Sequence, residues 1–84
     1  MSYAEITFSS VTRAMEGKRL LAREGITAAL RRTPESLRQR GCGYSLRVAQ
    51  GRVQMAKNLL QHHEIPYQRI FTEQDGGKWQ EVIL

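Results

Sequence analysis

The sequence predicts an α+β fold, an antiparallel sheet with two helices laid on one of its faces. Three observations carry this expectation. Residues 3–8 and 44–49 alternate between apolar and polar side chains with period two, as half-buried strands do. Two longer segments, 11–24 and 52–63, space their apolar residues along one side of a helix instead. The two helical segments also end alike: Lys18, Leu20, Leu21 and Ile26 recur as Lys57, Leu59, Leu60 and Ile65, at a constant offset of thirty-nine residues. Each segment therefore does the same structural job, closing a helix and entering the next strand.

The first strand, 3–8, sets Ala4, Ile6 and Phe8 on one face and Tyr3, Glu5 and Thr7 on the other. Ser9 and Ser10 then offer N-cap hydroxyls to the first helix. Its stripe is Val11, Ala14, Met15 and Leu21 with Ala22, widened by Leu20, and Gly25 is its natural stop. A second short strand, 26–31, groups Ile26, Ala28 and Leu30. Thr33 and Pro34 end it, and 34–37 reads as a single helical turn with Thr33 as cap, Pro34 in the first position and Leu37 tucked toward the core. The third strand, 44–49, sets Tyr44, Leu46 and Val48 against Ser45 and Arg47. Gly51 introduces the second helix, with Val53, Met55, Ala56, Leu59 and Leu60 as its apolar side, and Pro66 prevents its continuation. Residues 67–73 form a fourth strand. Asp75, Gly76 and Gly77 are a hairpin signal, and 78–84 a fifth strand carrying Trp79. Its apolar ending, Val82 to Leu84, is expected to be paired or covered, which leaves room for a homodimer through that strand. Two β-α-β units in tandem give β-α-β-β-α-β, the ferredoxin-like split arrangement, with a C-terminal hairpin strand added. The helices are expected to pack on the sheet through Val11, Met15, Leu21, Val53, Ala56 and Leu60.

Eighty-four residues make one domain, 1–84, with room for one modest core. No apolar run approaches the ~20 residues needed to span a bilayer. The start, Met1 to Glu5, lacks the basic and apolar regions of a signal peptide. A single cysteine cannot form an internal disulfide, and the expectation is a cytoplasmic protein. The net charge of +5 calls for an anionic partner: nucleic acid, an acidic protein face or a small anion.

The chemistry concentrates at Cys42, the only cysteine, with Gly41 and Gly43 on either side. No neighbouring side chain shields the thiol. Arg31, Arg32, Arg38 and Arg40 precede it and Arg47 and Arg52 follow, with Glu35 the one acid between Arg31 and Arg52. Nearby cations favour a thiolate, which is the nucleophilic form. The plain alternative is a small residue in a tight turn among solvated arginines. Other chemistries fail. Neither a nucleophile elbow nor a phosphate-binding glycine loop is present. His62 and His63 point about 100° apart on a helix and lack a local third ligand, so no metal site is expected. RNA-recognition modules of the same topology stack bases on aromatics of the two central strands. Here those strands offer Tyr3, Phe8 and Tyr44, and the last two alternate toward the helices, so nucleic acid is disfavoured.

The segments Phe8 to Ala14, Gly25 to Ile26, Thr33 to Leu37 and Gly41 to Val48 together resemble the selenium/sulfur carrier protein-like family, over residues 4–72. The most specific part is the proline turn followed by Cys42, Gly43 and the Leu46-Arg47-Val48 strand. The resemblance implies that Cys42 holds a sulfur or selenium atom as a persulfide or perselenide. Such a protein needs no resident cofactor, only transient sulfane sulfur or selenium on the thiol. Its partners would be a donor protein such as a cysteine desulfurase and an acceptor that the sequence does not identify. On this reading Arg40 and Arg47 support the thiolate, Arg38, Arg31 and Arg32 are second candidates, and Gly41, Gly43 and Pro34 shape the loop. With no general acid beside Cys42, the chain reads as a carrier or adaptor without turnover of its own. Arg38 and Arg40 depart from the small polar segment that usually precedes the cysteine in the family. The runner-up is a basic binding module for nucleic acid or a small anion, in which Cys42 is a turn residue.

Overall fold

A computed structural model describes residues 2–37 and 43–83. The strands are β1 (Tyr3–Phe8), β2 (Ala29–Arg32), β3 (Tyr44–Ala49), β4 (Ile70–Glu73) and β5 (Trp79–Glu81). The helices are α1 (Val11–Arg23) and α2 (Val53–His62). The strands form one antiparallel sheet in the order β2-β3-β1-β4-β5, with α1 and α2 packed on it and on each other. The molecule is thus an α+β sandwich of two helices on a five-stranded sheet.

Local chemistry fixes the element ends. Ser10 caps α1, its hydroxyl accepting from the Arg13 backbone N–H at 3.2 Å. After α1, Gly25 takes φ +80°, where a Cβ would be strained, and the chain turns so that the Ile26 N–H reaches the Leu21 carbonyl. Gly76 and Gly77 both hold positive φ at the β4–β5 hairpin, as the sequence signal there requires.

One core lies between sheet and helices. β1 contributes Ala4, Ile6 and Phe8, all fully buried, and β3 contributes Leu46 and Val48. Ala14, Leu20 and Leu21 meet them from α1, and Val53, Ala56 and Leu60 from α2. Gly17 sets how near α1 comes: a Cβ there would stand 3.2 Å from Leu60 Cδ2 and Phe8 Cζ and 3.3 Å from Leu46 Cδ1.

Several expectations need correction. Met15 and Met55 were expected on the buried stripes, yet each is close to half exposed. The helices are turned so that the narrower rows Ala14-Gly17-Leu21 and Val53-Ala56-Leu60 face the sheet, because small residues allow closer packing there. Val11 is only half-buried and Ala22 is exposed. β2, β4 and β5 are shorter than the alternation suggested. Ile26 and Ala28 are buried ahead of β2, outside the strand, whereas the chain beside β4 and β5 stays hydrogen-bonded: the Gln68 N–H donates to the Thr7 carbonyl at 2.7 Å, the Thr7 N–H to the Arg69 carbonyl at 2.8 Å and the Val82 N–H to the Ile70 carbonyl at 2.8 Å. Ile83 is not covered, being 92% exposed, while Val82 packs at the core margin. Glu5, on the face of β1 opposite Ala4, Ile6 and Phe8, is completely buried.

Candidate functional site

The segment that carries Cys42 joins the turn Glu35–Leu37 to β3. Cys42, Gly41, Arg38 and Arg40 lie outside the described residues. Leu37 is buried, and its N–H donates to the Pro34 carbonyl at 2.8 Å. The Thr33 N–H donates to the Gly43 carbonyl, which continues the β2–β3 ladder by one pair beyond Arg32 and Tyr44. The end of β2 is therefore tied to the residue directly after the cysteine. The same register sets Arg31 opposite Ser45 and Arg32 opposite Tyr44. The Arg32 guanidinium stands 5.3 Å from the Tyr44 ring centroid, within cation–π range. Among the described residues Arg32 has no carboxylate partner, so its charge is not neutralised locally.

The face of the sheet turned away from the helices holds a second constellation. The register aligns Ala29, Arg47, Glu5, Phe71 and Glu81 across the five strands. Glu5 has no exposure, and a buried carboxylate is costly unless it is paired and hydrogen-bonded. It is held by the Ser45 hydroxyl, which donates to Oε1 at 2.7 Å. Arg47 Nε lies 3.3 Å from Oε2 and Arg31 Nε 3.7 Å from Oε1. Arg47 also donates through Nη2 to Glu73 at 3.1 Å, and its guanidinium stands 4.5 Å from the Tyr3 ring centroid. Three strands are thereby fastened around one carboxylate.

This network changes how the arginines can act. Arg47 meets two carboxylates, and it lies four positions along the strand from Gly43, roughly 13 Å at the usual rise. That distance exceeds the Debye length of ~8–10 Å at ordinary salt. Arg31 shares Glu5 with it. Of the three described arginines expected to support a thiolate, Arg32 stands opposite Tyr44, next to Gly43, and is the one without a carboxylate partner among the described residues. The sequence reading missed Glu5, Ser45, Glu73 and Tyr3 as partners. Only the β1–β3 and β1–β4 pairings bring them together, and no local pattern announces those registers.

The open face also bears on the nucleic-acid alternative. Its central strands present Glu5, Thr7, Ser45 and Arg47 as an ion-paired patch with Tyr3 under the Arg47 guanidinium, and the register sets Phe71 and Trp79 on the same face. Phe8 and Tyr44 lie on the helix side, as their alternation predicted. His62 and His63 meet edge to face with centroids 5.1 Å apart. Among the described residues no cluster of three or more His, Cys, Asp or Glu is arranged to hold a metal, and no helix is long and apolar enough to cross a membrane.

Comparison with known proteins found no match among curated proteins and none among solved structures. A family model, described as Putative Se/S carrier protein-like, matches residues 3–72, from the first residue of β1 to the third of β4, and takes in the cysteine segment with both helices. The chain belongs to the Se/S carrier protein-like family.

Proposed function

We propose that this protein accepts a sulfur or selenium atom on Cys42 from a donor protein and passes it to an acceptor, without catalysing a reaction of its own. The observation that carries the proposal is family membership across a span that contains the chain's only cysteine. In the accepting step the Cys42 thiolate attacks the outer sulfur of a donor persulfide. A bond forms between Cys42 Sγ and that sulfur, the donor's S–S bond breaks, and the donor leaves as a thiolate. Electrons balance without an added oxidant or reductant, and delivery to the acceptor is the same exchange in the other direction. A cysteine desulfurase is the class of donor that presents such a persulfide.

The surroundings support this reading. The step needs an ionised thiol, which cations nearby favour. Arg32 supplies such a charge at the end of β2, and Arg38 and Arg40 bring two more within four residues of Cys42 in sequence. Gly41 and Gly43 leave no bulky neighbour to hinder a partner's sulfur. The sheet order supports a ferredoxin-like reading of the fold: β3 inserts between β1 and β2, and β1 between β3 and β4, each flanked by antiparallel neighbours. A single cysteine suits a compartment that keeps thiols reduced, such as the cytoplasm. A base-stacking surface on the open sheet face is disfavoured, because the buried Glu5 network occupies its centre.

The test is transfer. The protein is incubated with a cysteine desulfurase and sulfur-labelled cysteine, then digested and mapped. Label on the Cys42 peptide, released by reductant and absent from Cys42→Ser, is the expected outcome. Arg32→Gln should slow loading without unfolding the chain. Absence of label on Cys42 with an active donor would leave it a turn residue.

A further inference from the structure

The net positive charge is unevenly distributed. On the open sheet face Arg31, Arg47 and Arg69 each have a carboxylate partner. The helix layer differs. Arg19 and Arg23 stand four residues apart on α1, both exposed, and among the described residues neither has an ion-pair partner. Like charges at this spacing repel each other. Arg23 has a local reason to be there, since a cation suits the last turn of a helix. Arg19, a turn earlier, has none.

Both arginines line a groove of about 580 Å³ between the C-terminal ends of α1 and α2. Leu20, Ala22 and Ile65 give it an apolar component, and His63 stands on the α2 side. Glu16 also lines it, but its charge is taken up by Arg13 at 3.2 Å. Ile65 is shared with a second concavity of about 600 Å³, lined by Leu60, Pro66 and Tyr67 with Gln61 and Gln68 at its border, and carrying Glu64 as its one charged residue. A cationic end therefore leads into one whose apolar side chains are bordered by amides.

We propose that this groove docks an acidic, amphipathic segment of a partner protein, its carboxylates on Arg19 and Arg23 and its apolar side chains over Ile65 and Tyr67. Helical segments are recognised this way when apolar anchors recur every three or four residues along a groove. Charge complementarity selects the occupant: the unmatched cations ask for anions, and the apolar run beyond them favours a protein segment over a nucleic-acid backbone. Glu64 fixes the direction by repelling the acidic end. The inference does not depend on Cys42.

The experiment is an anisotropy titration of the full chain with fluorescein-labelled helical peptides. Each carries two glutamates four residues apart, followed by leucine, isoleucine or phenylalanine anchors. Single-stranded polyuridine RNA of equal charge is titrated in parallel. Arg19→Gln/Arg23→Gln is compared with Arg69→Gln/Lys78→Gln, which removes the same charge elsewhere. Expected is saturable peptide binding, weakened about tenfold by the first double variant and less than about twofold by the second. Equal weakening by both variants would reduce the effect to net charge and overturn the proposal. So would the absence of saturable binding by any peptide, or RNA binding more tightly than the peptides through the same two arginines.

Discussion

Arg47 and Arg69 lie on the same sheet face and each meets a glutamate, but their surroundings differ. Arg69 and Glu81 are both largely solvated at 3.0 Å, and such pairs contribute about 0.2–1 kcal/mol. Arg47 compensates a carboxylate with no exposure at all. Removing one partner of a buried pair costs about 3–5 kcal/mol, because the other charge is left stranded in a poor solvent. Arg31 and Ser45 soften that loss here, so Arg47→Ala should cost about 3 kcal/mol and Arg69→Ala less than about 1. Urea unfolding of both variants gives the comparison directly. Equal losses would show that the Glu5 network is as solvated as the surface pair. None of this was legible in the sequence. Glu5 reads there as the polar half of an alternating strand, and its partners Arg31, Ser45 and Arg47 lie 26 to 42 residues away, joined only by sheet register. Cys42 stood out for the opposite reason: single occurrence, flanking glycines and nearby arginines are all local.

The elements themselves were largely legible, because capping, turn chemistry and periodicity are local signals. Ser10, Gly25, and Gly76 with Gly77 each mark the boundary they were expected to mark. Rotation of the helices was harder to read, since Met15 and Met55 fit the apolar stripes by sequence and Gly17 fits no stripe. Packing decides the matter: Gly17 lets α1 settle onto Phe8, Leu46 and Leu60, which carries Met15 outward, and on α2 the buried row Val53, Ala56 and Leu60 leaves Met55 outside. Leu60→Ala, at a fully buried position, should therefore cost about 2–5 kcal/mol, as core truncations do. Met15→Ala should stay within about 0.5 kcal/mol, the usual range for surface changes. Thermal or urea midpoints of the pair test the rotation, and a larger loss for Met15→Ala would mean that α1 presents a different face.

At the scale of the molecule, two surfaces divide the work. The open sheet face holds its charges in closed pairs, which gives stiffness and little pull on a partner. Among the described residues, Arg19 and Arg23 in the helix layer and Arg32 at the end of β2 have no carboxylate partner, so electrostatic attraction acts there. β5 lies beyond the family match and adds an outer partner to β4, leaving β1 and β3 deep in the sheet. The end of β3 nearest Gly43 is thus held on both sides, by β2 and by β1, while the segment before it carries the thiol. Under the proposed function, the sheet is the rigid mount for the thiol. The most direct measurement is the intact mass of freshly purified protein, taken before any reductant is added. The account predicts a fraction heavier by one sulfur or one selenium atom, mapped to Cys42, removed by dithiothreitol and never seen in Cys42→Ser. Protein that stays unmodified at Cys42 when co-expressed with an active cysteine desulfurase and supplied with selenium would contradict it.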